Sequence, residues 1–378
     1  MIRPGMECVL DVLRGQADRR EVALSEWQRA FRIAEEENVL PLFLQRLRQS
    51  AISIPDPVQD DLSRNESEAA RTSFWWTSEL KGILQALALE AIPVIPLKGP
   101  MLADRIYGGV NLRSSRDLDL LVHPQDIPAA SSVLEKLEFA KASRVGHHTH
   151  WLRGTTLVEL HHDVGNPRVF DFDTALAWKR AKPREFLGQP VWQFASSDEL
   201  LFLCIHSARH QFEYLSHVID VALALNSLTP EIDPNDYVHG PAPRLGHLIV
   251  LGSAVARLFD PDCKPDIHIH ESAEITAHME NVAAKRWSSL LERASPQWTT
   301  GDRLRFYFET EAVTSGGLVR CARYSFLIAK TLSDVDFDFA ARYGIKHRAM
   351  VWILRQLRLL AALFGHDLRQ TARPRVRQ

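Results

Sequence analysis

The residues able to do chemistry concentrate in positions 97–122, LKGPMLADRIYGGVNLRSSRDLDLLV, where Asp117 and Asp119 flank a single leucine inside an apolar run. Side chains of an extended segment alternate between faces, so the two carboxylates share one face and Leu118, Leu120 and Leu121 remain for packing. Two like charges held this close call for a cation. Upstream, Lys98-Gly99-Pro100 reads as a strand-to-helix turn with a lysine at its mouth, a setting in which amide groups and positive charge hold phosphate. Acid pair and turn together point to Mg²⁺-assisted chemistry on a nucleotide.

The elements around them must aim these groups. Residues 92–97 are short, β-branched and bounded by a turn, hence a strand, and residues 99–107 form a helix with Pro100 in its first turn, where a missing amide hydrogen costs little. Gly108-Gly109 ends that helix, a loop carries Arg113 and Arg116 into the aspartate strand, His123-Pro124 stops the strand, and residues 125–137 make the next helix. Residues 147–164, HHTHWLRGTTLVELHHDV, hold two alternating runs around Arg153-Gly154-Thr155 and read as a hairpin. In its second strand Glu159 lies between Val158 and Leu160, so it faces away from them and toward the aspartate pair. The resulting carboxylate triad can hold one or two Mg²⁺ ions. His148 and His150 share a face of the first hairpin strand, and His161 shares the face of Glu159, which it is placed to orient.

Residues 197–225 read as one helix bearing His206, His210, Glu213, His217 and Asp220 as a polar stripe, with His206 and His210 expected over the nucleotide cleft. The His206/His210 spacing lacks the glutamate of a metalloprotease helix. Upstream, residues 22–90 are helical: Leu24, Trp27, Phe31 and Ala34 recur at helical steps, with Ser25 as a cap. Prolines break the pattern at 54–57, and an amphipathic segment follows with Trp75, Trp76, Leu80, Ile83, Leu84 and Leu87 as its buried stripe. Helical patterns return after 225, interrupted near 230–243 and 261–265. The expected architecture is α+β, with an N-terminal helical region (1–90), a mixed-sheet core (91–195), a C-terminal helical region (196–368) and a basic, disordered tail (369–378).

The 378 residues suffice for about two to three domains; 24% are charged and 46% apolar, the profile of a soluble globular protein. A net charge of -2 does not mark a nucleic-acid binder, and the one basic run, Arg369, Arg373, Arg375 and Arg377, reads as a solvated end. Cys8, Cys204, Cys263 and Cys321 are far apart with no CxxC pair, so neither a zinc knuckle nor a disulfide framework is expected. No secretory leader or bilayer-spanning run is evident, so a cytoplasmic protein without membrane partners is expected.

Taken in order, Lys98-Gly99, Tyr107, Leu112-Arg113, Asp117-Leu118-Asp119-Leu120-Leu121-Val122, Val158-Glu159-Leu160-His161, Cys204-Ile205-His206, His210 and Asp220 resemble the polymerase-beta nucleotidyltransferase superfamily. More narrowly they are similar to a bacterial group of uncharacterised nucleotidyltransferases found beside natural-product genes. The resemblance implies a minimal nucleotidyltransferase mixed sheet and Mg²⁺, with Mn²⁺ as a substitute, on Asp117, Asp119 and Glu159. It also implies a nucleotide contacted by Lys98, Gly99, Arg113, His206 and His210. A nucleoside monophosphate would pass from a triphosphate to a hydroxyl on a small molecule or peptide. Where the superfamily usually carries a Gly-Ser turn, this chain has Lys98-Gly99-Pro100, a form shared by the narrower group. The alternatives are a nucleotide-binding regulatory module without catalysis and a toxin-like enzyme that extends RNA.

Overall fold

The computed structural model describes residues 2–16, 22–50, 52, 54–145, 147–164, 172–228, 245–263, 271–292, 300–314, 316–330, 340, 344, 345 and 347–363. The proline-rich break at 230–243, the latter part of the one at 261–265, and the basic tail lie outside them. Four helices open the chain, α1 (Met6–Leu13), α2 (Leu24–Glu36), α3 (Leu40–Gln49) and the long α4 (Asp56–Leu89). Trp27, Phe31 and Ala34 face inward as the helical spacing requires, but Leu24 is exposed, and α2 is entered through Ala23, not Ser25, with no side-chain cap. In α4 the stripe runs through Trp76, Leu80, Ile83, Leu84 and Leu87, whereas Trp75, one position off that face, is exposed.

The chain then builds β1 (Val94–Pro96), α5 (Gly99–Leu102), a π-helical turn Ala103–Tyr107, β2 (Leu118–Val122), α6 (Ile127–Lys136), β3 (Ala140–Val145), β4 (His148–Arg153) and β5 (Thr156–His161). The five strands form one mixed sheet in the order β1-β2-β5-β4-β3. β1 pairs antiparallel with β2, β2 runs parallel to β5, and β5-β4-β3 is an antiparallel meander. A helix α7 (Thr174–Arg180) and a ribbon of β6 (Lys182–Phe186) and β7 (Gln189–Gln193) follow. β3 and this ribbon fall where the sequence pattern gives no strand: β3 (AKASRV) has no large apolar residue before Val145, and Pro183 and Pro190 read as loop signals yet are tolerated in a two-stranded ribbon.

One face of the sheet, through Leu118, Leu120, Val122, Trp151, Val158 and Leu160, joins a core with the C-terminal half of α4 and with α6. At its rim the opposite face gives Ile95, Leu97 and Leu121 to a second, larger core shared with α1–α3 and with α8 (Ser196–Arg209), α9 (Leu215–Leu228) and α10 (Gly246–Phe259). Beyond lie α11 (Ala273–Glu292), α12 (Thr300–Glu311), α13 (Gly317–Lys330) and α14 (Arg348–Leu363). Among the described residues no helix is long and apolar enough to cross a membrane.

The single helix expected over 197–225 is two helices. Gln211 and Phe212 take left-handed backbone angles (φ 55° and 54°) between α8 and α9, although neither is a glycine. The cause lies far away in sequence: buried Glu37 accepts from the Leu215 amide at 2.9 Å through Oε2 and from the Ser216 amide at 3.2 Å through its backbone oxygen, so it caps the start of α9. Arg3 neutralises that carboxylate at 2.5 Å.

Candidate active site

The register of β2 on β5 sets Asp119 directly opposite Glu159 and Leu121 opposite His161, while β4 places His150 opposite Glu159 and His148 opposite His161. By alternation all these side chains except the leucine make one polar surface on the sheet, backed by the apolar face beneath. Above it lies a cleft of about 490 Å³, lined by Lys98, Asp117, Asp119, Glu159 and His161 from below and by His206, Arg209, His210 and His217 from α8 and α9.

Asp119 is the hub. Its Oδ2 meets Lys98 Nζ at 2.9 Å as a charge contact, and its Oδ1 lies 3.0 Å from His161 Nε2, which also lies 3.3 Å from Glu159 Oε2. Burial pushes the Asp119 carboxyl up, but Lys98 and His161 outweigh it and hold the group well below the usual carboxylate range. Burial likewise pulls Lys98 and His161 down, and the carboxylates reverse both shifts, so each ends above its ordinary value. Glu159, ringed by His161, His148 at 3.6 Å and His150 at 3.2 Å, is held below its ordinary value against its own burial. Asp117, in the turn just ahead of β2, moves the other way: burial first, then the charge of Asp119, push it up to about 6. Three acids thus share too little positive charge, and the cost falls on Asp117.

Gly99 follows Lys98 with φ +63°, a left-handed angle that favours glycine, and the turn lies against Ser115 of the 113–117 loop. That loop is fixed by Arg113, whose Nε and Nη2 donate to the two oxygens of Asp220 at 2.8 and 2.7 Å. Tyr107 donates its hydroxyl to the same carboxylate at 2.6 Å. Arg113 lines the cleft, but its fork is directed at Asp220, a buried residue of α9. Asp220 therefore belongs to a buried network and not to a solvent-facing stripe.

His206 on α8 puts Nε2 3.4 Å from Lys98 Nζ; its burial and the lysine's charge hold its ring neutral, far below the usual histidine range. The rings of His206, His210 and His217 cluster, with centroids 4.7–5.4 Å apart. Burial takes His217 down to about 3. Arg209 and Asn38 are among the lining residues that the sequence reading does not single out. Arg209 sits three positions after His206, a helical spacing that would have found it; Asn38, left-handed just after α2, reaches the cleft by tertiary packing alone.

Residues 24–252 match the model of a family described as "Uncharacterised nucleotidyltransferase". No curated protein matches the sequence. Among solved structures, the chain is similar to ANT(2'')-Ia in complex with adenylyl-2''-tobramycin, at 16% identity and TM-score 0.33 over 40% of this chain and 89% of that one. It is also similar to an antigenic nucleotidyltransferase-like protein from Paracoccidioides brasiliensis, at 19% identity and TM-score 0.35 over 53% and 96%. Likenesses this remote carry no conclusion about substrate. The family match spans the first strand, both acidic strands and the helices above the cleft, more than half of the sequence, and on that ground the chain belongs to this nucleotidyltransferase family and is an enzyme of nucleotidyl transfer.

Proposed function

We propose that the enzyme moves a nucleoside monophosphate from a nucleoside triphosphate to a hydroxyl on a small-molecule or peptide acceptor, with Mg²⁺ (or Mn²⁺) held by Asp117, Asp119 and Glu159. The observation that carries this reading is the parallel β2/β5 register, which sets Asp119 across from Glu159 on the cleft floor with Lys98 beside them. The donor set suits a divalent cation: Asp119, Glu159 and His161 each offer an atom within 4.8 Å of the others, and the raised Asp117 carboxyl marks a shortage of positive charge. When bound, such an ion neutralises triphosphate charge and activates the attacking oxygen.

The chain's own groups supply the rest. Lys98, charged and at the mouth of the Gly99 turn, is positioned to turn from Asp119 toward the triphosphate, and the turn itself lets phosphate approach backbone without a side chain in the way. Arg113 adds positive field from the loop wall. His206, kept neutral, can accept a hydrogen bond from an acceptor hydroxyl and orient it, with the His210 ring tilted beside it. A volume near 490 Å³ is of the size that small-ligand clefts have.

The test is pyrophosphate release from each of the four ribonucleoside triphosphates with Mg²⁺, in the presence of hydroxyl acceptors, for wild type and Glu159→Gln. Loss of about 10³-fold, roughly 4 kcal/mol of transition-state stabilisation, is expected for the variant with its circular dichroism unchanged. A folded Glu159→Gln protein that releases pyrophosphate at the wild-type rate refutes the assignment.

A further inference from the structure

A second cluster lies at the end of the β4–β5 ladder, beside the acids, with His148 and His161 in contact with them through their Nε2 atoms. His147, His148 and His161 each offer a nitrogen, the three within 4.8 Å of one another, and all three residues are buried, at 4%, 7% and 6% exposure. They are joined by backbone: His148 pairs with His161 across the ladder, and the His147 carbonyl accepts from the His162 amide at 3.1 Å. Each ring also has one buried nitrogen with no hydrogen-bond partner among the described residues, namely His147 Nε2, His148 Nδ1 and His161 Nδ1. Buried polar atoms without partners are rare, and each carries a desolvation cost.

The hydrogen bonds on the far sides of two rings say what those nitrogens are. His161 Nε2 lies 3.0 Å from Asp119 Oδ1 and 3.3 Å from Glu159 Oε2, acceptors only, so Nε2 keeps its proton and Nδ1 is the nitrogen that offers a lone pair once the ring is neutral. His150 Nδ1 lies 2.7 Å from Ser143 Oγ; when it donates there, His150 Nε2 is an acceptor, and His148 Nε2 at 2.9 Å donates to it. His148 Nδ1 is then a lone pair as well. Lone pairs gathered in a buried place repel unless a cation joins them. A histidine whose other nitrogen donates to a carboxylate is the arrangement that orients and strengthens metal-binding imidazoles.

We propose that His147, His148 and His161 hold a transition metal ion of the zinc kind, through the nitrogens that have no other partner, as a site separate from the carboxylates. Three imidazoles suit Zn²⁺, Co²⁺ or Ni²⁺ and not Mg²⁺, which takes oxygen ligands and keeps its waters. Zn–N distances of about 2.0–2.1 Å in a tetrahedral shell ask the nitrogens to stand roughly 3.4 Å apart, with the fourth position open to water. The ion would fasten the start of β4 to the end of β5 and, through the His161 ring, hold the Asp119 carboxylate in place. Here Asp119 acts on the ion as a positioning residue.

The full chain, stripped with a chelator, is titrated with Co²⁺ and followed by visible d–d absorption, with Zn²⁺ and Mg²⁺ as competitors. About one equivalent with the intense absorption of a four-coordinate ion is expected, displaced by Zn²⁺ and untouched by Mg²⁺. His147→Gln, which removes a ligand, should weaken uptake at least 10-fold, and Glu159→Gln, which only backs the His161 ring, should weaken it less. Uptake lost in Glu159→Gln and kept in His147→Gln would put the ion among the acids and overturn the inference, as would competition by Mg²⁺. Should His147→Gln not fold, X-ray absorption of the zinc-loaded wild type decides: three imidazole scatterers support the site, and an oxygen-only shell ends it. Co²⁺ uptake without pyrophosphate release would sink the transfer reading alone, and the reverse result this one alone.

Discussion

Asp117→Asn is expected to make the metal-free protein more stable while ending its chemistry. In the fold the Asp117 carboxyl is raised from 3.8 to about 6, by burial first and by Asp119 second. A carboxyl so raised costs about 3 kcal/mol to ionise in place, at 1.36 kcal/mol for each tenfold change in proton affinity. The sign follows from linkage: the folded state binds this proton more tightly than the unfolded one, so wild-type stability falls as pH rises from about 4 to about 6 and stays lowered above that. Asparagine has no such proton to lose. The gap between variant and wild type should therefore open across that window and reach, as an upper bound, about 3 kcal/mol at pH 7.5 in chelator. Mg²⁺ should narrow it from the wild-type side, since an ion at 100 times its Kd stabilises by about 2.7 kcal/mol. Urea unfolding at a series of pH values, with and without Mg²⁺, measures all three quantities. A variant no more stable than wild type at pH 7.5 without metal, or a gap that does not vary with pH, would refute the claim that these acids lack a counter-charge.

Asp220→Ala should cost about 3–5 kcal/mol in denaturant unfolding, because it strands the buried Arg113 guanidinium and the Tyr107 hydroxyl together. Arg113→Met/Asp220→Leu should recover a large part of that loss, as the charge left behind is removed as well. Gly99→Ala should lose about 1–2 kcal/mol from the left-handed backbone alone, read from the same unfolding curves, with nucleotide affinity falling in parallel if the turn holds phosphate.

Some of this was legible in the linear chain and some was not, for reasons that differ by residue. Asp117 and Asp119 announce themselves because alternation within a short apolar strand is a local rule, and the same rule gives the face of Glu159 within its hairpin. What no local pattern states is that the hairpin docks parallel to β2, a pairing between segments about forty residues apart that is decided by the helices on both sides of the sheet. The split between α8 and α9 escapes for the same reason. No glycine or proline marks 210–214; the break is imposed by Glu37, a residue with no reason to be noticed within its own helix end. That split takes Asp220 off the supposed stripe and gives it to Arg113, while His217 stays beside His206 and His210. The unpartnered histidine nitrogens could be seen only once tautomers were assigned from neighbours on other strands.

The first, third and fifth residues of β2, Leu118, Leu120 and Val122, sit in one core, while the second, Asp119, looks into the cleft from the other face. Loss or gain of one codon just ahead of this strand would exchange the two roles, driving an acid into hydrocarbon and a leucine into the reaction chamber. Such a lineage would forfeit its fold and its activity in one event, so insertions and deletions at this point are barred more strictly than substitutions, and variation in length must be sought in the connecting loops.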